Sequence, residues 1–452
     1  MERLDLWWSL AGPSRFVGKV VKAVANSQRV ICVAAAMPRP AGLADAIARA
    51  VGADLSFDCV HHDLSGKDQS EPTAHLLAEL LDVPAAEIES VADFASHPDL
   101  VDQIVIVDGI DRKHLRRWSL FLRHLASEGG GLAVVGPVLI VMLPTGLSRE
   151  ETLELCGGGK VISAQGLADR YDSVGYVAGI GVRPSDDLPA RVGHAVVLDV
   201  AAWSRECLET MCVWDAVDQI EPIALLERAA EGKSFAYPCW ENGLVDLWDD
   251  EPVAHAVASV KHGLKEHLKR RIWGGQASVL LPFTFRILRS TIARYLDVLE
   301  RKVSPSVPLI KNFNGRETRI VDPWKLEFHD VRELTKDVIS RGELDMLKIA
   351  GGVRNAMAHH DIVDTQRINL FSDHYEANRH FLDSDIPGWD WPRCGQSMIM
   401  TVGPSGAGKS TWSATQGTEV VSSDAIRSEL TAAGRPVRNL PTGSLQKFAR
   451  PL

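Results

Sequence analysis

The sequence predicts a protein of mixed class, in which a parallel α/β domain, an all-helical bundle and an incomplete P-loop α/β domain follow one another. Apolar strand-like runs alternate with helical stretches over residues 1–235, a pattern that favours a parallel sheet covered by helices. Strand signals then give way to helical periodicity over residues 253–370. A phosphate-binding loop follows an apolar run in residues 395–452. We therefore expect three domains with these bounds.

Composition places the chain among ordinary globular proteins. Its 452 residues are 45% hydrophobic and 24% charged, which is typical of folded domains. The longest apolar run, residues 132–143, is interrupted by Gly136 and Pro137 and is shorter than the roughly 20 residues that a membrane helix needs. The acidic N-terminus does not resemble a signal peptide. These features predict a cytoplasmic protein without membrane contact. A net charge of −10 restricts any nucleic-acid contact to a local basic patch.

Four apolar runs of the first domain are expected to be strands: residues 29–36, 103–107, 131–143 and 194–200. The second ends at Asp108 and has the form of a Walker B strand, whose acid can hold Mg²⁺. The segment after the first strand lacks the glycine spacing and lysine of a phosphate loop. The domain resembles the degenerate P-loop ATPase modules attached as sensors to conflict-system effectors. Alternatively, Asp108 is one of many strand-end aspartates without function.

The helical segment lies between two junctions rich in proline, glycine and tryptophan, residues 237–252 and 383–393, which end regular structure. Ile287, Ile292, Leu296 and Leu299 suit one buried face of a long helix. A basic stripe is expected upstream, where phosphate would be attracted, or an ordinary solvated helix face. The stripe comprises Lys261, His262, Lys265, Lys269, Arg270 and Arg271.

The motif Arg354-Asn355-x-x-x-His359 lies in the same helical segment. Ile349, Val353 and Met357 recur at a spacing of four and are expected to face the core, whereas Asn355 and His359 share another face. Histidine transfers protons near neutral pH, and arginine can stabilise a phosphorane.

This pattern resembles that of the HEPN superfamily, whose helical domains carry R-N-x-x-x-H. The resemblance implies a metal-independent endoribonuclease, RNA (including tRNA) as partner, and a homodimer in which two motifs line one groove. His360 can replace His359 in this interpretation. Alternatively, Arg354 and His359 only cap the helix end near Asp361 and Asp364.

The C-terminal domain begins with an apolar strand, residues 397–402, that leads into G-P-S-G-A-G-K-S-T, residues 403–411. This sequence fits the P-loop pattern in letters and in context, and it predicts ATP and Mg²⁺ as cofactors. The glycines free backbone N–H groups for phosphate, the lysine neutralises the β and γ phosphates, the serine hydroxyl binds Mg²⁺, and the threonine starts the following helix. The predicted nucleotide site is Gly403, Gly406, Gly408, Lys409, Ser410 and Thr411.

A second strand is predicted at residues 419–423, before Asp424 and Arg427. Together with the P-loop, this segment resembles the polynucleotide 5′-kinase branch of P-loop phosphotransferases. The resemblance implies that Asp424 accepts the proton of a 5′-hydroxyl and that Arg427 holds the acceptor phosphate; Asp424 can also serve as a helix N-cap. Only 25 residues follow Arg427, whereas such a kinase needs further strands and an arginine-bearing lid. We therefore expect an incomplete module.

The combined hypothesis is an RNA-targeting effector, in which cleavage leaves the 5′-hydroxyl that a kinase of this kind phosphorylates, in the setting of phage defence or RNA repair. One rival is a non-catalytic ATP-binding regulator or scaffold. A third possibility is a 5′-hydroxyl kinase that needs a partner chain.

Overall fold

The computed structural model describes residues 3–382, except 27, 35–40, 56, 58, 129–135, 184, 241 and 314–315. Residues Met1–Trp389 form one compact unit, and Asp390–Leu452 form a second. All described residues belong to the first unit. The fold is mixed α/β, as the sequence predicts.

A five-stranded parallel sheet forms the centre of the N-terminal half. Its strands are β1 (Val30–Ala34), β2 (Cys59–Asp63), β3 (Ile104–Asp108), β4 (Val138–Met142) and β5 (Lys160–Ser163). They lie in the order β2-β3-β4-β1-β5. The three inner strands are almost continuously apolar and buried, because helices cover both faces of a parallel sheet. This confirms the predicted parallel α/β architecture.

Twelve α-helices lie in the described residues before 235. They are α1 (Arg3–Ser9), α2 (Ala11–Ala25), α3 (Leu43–Leu55), α4 (Thr73–Leu80), α5 (Val91–Ser96), α6 (Leu115–Ser127), α7 (Arg149–Cys156), α8 (Arg170–Gly179), α9 (Leu188–Ala201), α10 (Arg205–Met211), α11 (Ala216–Ile220) and α12 (Ile223–Ala230). Successive side chains of a strand point to opposite faces, so Ile31 and Val33 join one hydrophobic core and Val30 and Cys32 the other.

One predicted strand is wrong, because residues 194–200 lie inside the helix α9. The segment is rich in valine, which suggested a strand, but Leu188, Val192 and Val196 recur at helical spacing and are all buried. Asp187 caps the helix by accepting a hydrogen bond from the Ala190 N–H at 2.8 Å. Tertiary burial and the cap therefore outweigh the β propensity of valine.

Two hairpins and six helices complete the described chain. They are β6 (Val245–Trp248), β7 (Glu251–Ala254), α13 (Ala256–Lys261), α14 (Lys265–Arg294), α15 (Leu296–Lys302), β8 (Leu309–Phe313), β9 (Arg316–Ile320), α16 (Phe328–Thr335), α17 (Arg341–Ala358) and α18 (Thr365–Leu382). The expectation of an all-helical segment is therefore wrong at β8 and β9. The dipeptide Asn-Gly at 314–315 is a hairpin signal in the sequence.

The predicted apolar face of the long helix is buried at Ile287, Ile292 and Leu299. The helix itself is shorter than expected, since α14 ends at Arg294 and α15 begins at Leu296.

A continuous hydrophobic core joins the sheet and the later helices. Helix α14 packs against α9, and the approach is close enough that a Cβ atom on Gly275 would lie 2.7 Å from the Val196 Cα atom. Arg271 donates hydrogen bonds to the carbonyl oxygens of Asp199 and Val200 across the same contact. The partition into residues 1–235 and 253–370 stays a prediction, and this core crosses its boundary.

The β6–β7 hairpin is fastened to the loop that follows β5 and to the first residue of α8. The Gly166 N–H donates to Asp246 Oδ1 at 2.8 Å, and the Arg170 N–H donates to Asp249 Oδ1 at 3.0 Å. Asp246 is 4% exposed, and burial raises the pKa of its carboxyl to about 6. The ionised carboxylate is therefore held in an environment that disfavours its charge.

Asp246→Asn should stabilise the protein more at pH 7.5 than at pH 4.5. Because the pKa of Asp246 is higher in the folded chain than the value of about 3.9 in an unfolded one, its contribution to stability is complete below pH 4 and is lost as the pH rises through about 6. Each unit of difference corresponds to about 1.4 kcal/mol. Thermal denaturation midpoints of variant and wild type, compared at both pH values, measure this change.

Asp54→Asn, at an exposed position of α3, is the matched control. An equal midpoint difference for Asp246→Asn at the two pH values would contradict the prediction.

Candidate functional site

Helix α17 carries the Arg-Asn-x-x-x-His motif, and its orientation is fixed at both ends. Ser340 caps it in a reciprocal arrangement with Glu343, as capping boxes do. Val353 and Met357 are buried, as predicted, and Ile349 packs partly buried against the same core. Gly351 lies where a side chain would press on Phe328. The opposite side of the last two turns therefore faces solvent.

The predicted motif residues lie on this open side or next to it. Asn355 and His359 are exposed, and Arg354 is half-buried. Arg354 Nη1 donates to Asn355 Oδ1 at 3.1 Å. Its Nη2 lies 3.6 Å from Glu327 Oε1, and the two side chains are 31% and 62% exposed. Sequence inspection did not identify Glu327, which is distant in sequence and precedes α16.

The end of α17 is a left-handed turn built on two histidines. His359 is the C-cap, and the next residue, His360, has a φ of 61°. The His360 N–H donates to the Met357 carbonyl at 3.2 Å, and the Asp361 N–H donates to the Ala356 carbonyl at 2.9 Å. This is the Schellman arrangement, whose left-handed position is usually glycine.

Helix α14 runs antiparallel to α17 and supports this turn. Trp273 Nε1 donates to the Met357 carbonyl at 2.9 Å, and at the far end Arg294 Nε lies 3.2 Å from Glu343 Oε1. The rings of Trp273 and His360 meet edge to face, with centroids 4.7 Å apart. Both histidines therefore lie at the end of the helix pair where α14 begins.

The expected basic stripe is interrupted. Lys261 belongs to α13 and Lys265 to α14, so their spacing of four is not that of one helix. Lys265 Nζ lies 2.5 Å from Glu227 Oε1, and Arg271 is engaged by backbone carbonyls. Lys269 and Arg270 are exposed on the first turns of α14. These two cations of the predicted stripe lie one helical turn from Trp273, which contacts His360.

A second polar group lies at the carboxyl edge of the sheet. Asp108 ends β3, and its register partner Asp63 ends the neighbouring strand β2. The Gly109 N–H donates to Asp108 Oδ1 at 2.6 Å, and the Ser65 N–H donates to Asp63 Oδ1 at 2.8 Å. The Walker B interpretation identified Asp108 but not Asp63.

The predicted nucleotide site, Gly403 to Thr411, lies outside the described residues, and so do Asp424 and Arg427. Residues 398–450 match a family model described as an AAA domain. No curated protein matches the chain. The chain thus contains a P-loop, kinase-like module that fits nucleotide and Mg²⁺ binding in general. None of the described helices is long and apolar enough to cross a bilayer.

Lys409→Ala should weaken nucleotide binding by the full-length chain, because the lysine supplies the positive charge for the β and γ phosphates. Titration with a fluorescent ATP analogue in the presence of Mg²⁺ measures the loss, which we expect to be about 100-fold or more in Kd, the scale of a lost charged contact of about 3 kcal/mol. Lys447→Ala, in the same matched segment but outside the loop, is the control. Equal affinity of the Lys409 variant and the wild type would contradict the assignment of this loop.

Proposed function

We propose that the chain is a metal-independent endoribonuclease effector with an attached ATP-binding, 5′-kinase-like module. The observation that supports it best is the exposed imidazole of His359 at an open helix end, with an arginine nearby whose carboxylate partner is weakly held. RNA is the proposed substrate, and tRNA is one candidate. Defence against phage is the setting that the resemblance implies.

Cleavage would use the ribose 2′-hydroxyl as the nucleophile. His359 takes its proton, the 2′-oxygen attacks the adjacent phosphorus, and the bond to the 5′-oxygen breaks as the His359 imidazolium gives the proton to that oxygen. Arg354 neutralises the crowded phosphorane, and Asn355 holds the guanidinium through its side-chain oxygen. The products are a 2′,3′-cyclic phosphate and a 5′-hydroxyl.

The ion pair with Glu327 suits a phosphate-exchanging arginine. Both partners are partly exposed and 3.6 Å apart, a geometry worth at most about 1 kcal/mol. A phosphate can accept two parallel hydrogen bonds from a guanidinium and so compete well with a single carboxylate oxygen. RNA binding would therefore release Glu327 at little cost.

Two copies of this site would line one groove in a homodimer. The 5′-hydroxyl product is also the acceptor that a polynucleotide kinase uses. Asp424 would orient that hydroxyl, and Arg427 would hold a phosphate of the acceptor strand. The product of the helical site would then be the substrate of the P-loop module.

The N-terminal sheet is proposed as a sensor that resembles a degenerate P-loop ATPase. Helix α3, which follows β1, packs in one core, and helix α7, which follows the neighbouring strand β4, packs in the other. Where connections from adjacent parallel strands leave on opposite sides, a ligand crevice forms at their carboxyl ends. Asp108 lies one strand away from that crevice.

A non-catalytic regulator or scaffold remains the second candidate, because the Arg354–Glu327 pair and the cap at His359 also suit a purely structural helix end. Arg354→Ala and His359→Ala separate the two functions. We expect each variant to lose cleavage of a tRNA pool by about 100-fold or more, the scale of lost acid–base catalysis, with a thermal midpoint close to that of the wild type. Gel analysis of 5′-hydroxyl ends measures the loss.

Arg116→Ala and His124→Ala, at exposed positions of α6, are the controls and should cleave as the wild type does. Undiminished 5′-hydroxyl formation in both motif variants, or no cleavage by the wild-type dimer, would reject the nuclease.

A further inference from the structure

His360 occupies a left-handed backbone position, which glycine adopts most easily. Its φ of 61° is left-handed, which costs a residue with a Cβ atom roughly 1–2 kcal/mol. Of the six described non-glycine residues with positive φ, four are aspartates, whose short polar side chains tolerate this conformation. The left-handed position of a helix cap is usually glycine, so the contacts of a ring placed there bear on its role.

The imidazole of His360 is exposed and yet has a fixed neighbour. It meets Trp273 edge to face at 4.7 Å, within the range of favourable aromatic pairs. The carbonyl of Met357 accepts from both the His360 N–H and Trp273 Nε1. The Met357 carbonyl thus holds both the backbone of His360 and the side chain of Trp273. An aromatic ring is thereby held in place at the surface, next to His359.

The surroundings of this ring suit a polyanion. Lys269 and Arg270 lie four and three residues before Trp273 on α14 and are exposed, so they project toward the same side of that helix. Lys269 is paired with Glu266 at 2.7 Å in an exposed contact, which phosphate can displace. Arg354 lies on the preceding turn of α17. Two exposed cations therefore lie one helical turn from Trp273, whose ring meets that of His360.

We propose that His360, oriented by Trp273, is a stacking subsite for an unpaired nucleobase of single-stranded RNA beside the scissile phosphate. This inference rests on the proposed function and adds a substrate class to it. Single-stranded RNA presents bases that can be splayed out and stacked on aromatic side chains, whereas bases in a duplex are already stacked. The subsite therefore favours loops and single-stranded ends over helices.

The substitution His360→Gly tests the subsite. A structural role for the ring predicts a lower thermal midpoint, whereas a binding role predicts weaker RNA binding without that loss. Glycine is the preferred residue at this backbone position, so the thermal midpoint should stay level or rise. The Kd for a single-stranded oligonucleotide should increase about tenfold, the scale of a lost base stack. The probe is an RNA with 2′-O-methyl groups, which cannot be cleaved through a 2′-hydroxyl, and fluorescence anisotropy at fixed salt measures Kd.

Three further arms sharpen the test. His360→Asn, which tolerates the backbone but lacks a ring, should bind like His360→Gly. His360→Phe should restore affinity while lowering the thermal midpoint. An oligonucleotide lacking the stacked base should bind the wild type about tenfold more weakly and lose nothing further in His360→Gly. For a duplex of the same sequence, His360→Gly and the wild type should bind equally.

Wild-type affinity in His360→Gly, or an equal loss for duplex and single strand, would overturn the subsite. A different observation would contradict the proposed function, namely the absence of 5′-hydroxyl ends after incubation of RNA with the wild-type protein. In that event base-dependent binding at His360 would still establish the subsite, now on an RNA-binding protein without nuclease activity.

Discussion

The packing of α14 between α9 and α17 is the contact on which the other described parts depend. On one side, Gly275 allows close approach to Val196, and Arg271 binds two carbonyl oxygens of α9. On the other side, Trp273 and Gln276 bind the backbone at and after the end of α17. These polar contacts are directional, whereas the apolar core alone would permit sliding. Helix α14 thus fixes the position of the candidate site relative to the sheet.

Local signals predicted the inner part of the sheet, and long-range packing decided the rest. Strands β1, β3 and β4 are apolar because both of their faces are covered, so the sequence alone identified them. Strand β2 was not predicted because it is an edge strand on which Val60 and His61 are exposed, and β5 has only four residues. The valines of α9 favour a strand by propensity, and only the packing of this segment against α14 shows why it is a helix. Propensity is a weak guide wherever tertiary contacts compensate for it.

The candidate site divides in the same way. The spacing of Val353 and Met357 predicted which face of α17 is buried, and hence that His359 lies outside. The P-loop was predictable because its chemistry is contained in nine consecutive residues. Glu327 and Trp273, by contrast, reach the motif only through the packing of α16 and α14 on α17. No local pattern indicates such partners, and the sequence likewise does not predict the left-handed backbone of His360.

The β6–β7 hairpin has a mechanical consequence. Asp246 binds the loop at the carboxyl end of β5, and Asp249 binds the first residue of α8. The second strand of the hairpin leads within two residues into α13 and then into α14. A displacement of that loop would therefore also move the β6–β7 hairpin, and the movement would reach α14 through the covalent chain. Hydrogen bonds and rigid secondary elements can carry coupling between distant parts of a protein, and here a two-stranded ribbon provides such a connection.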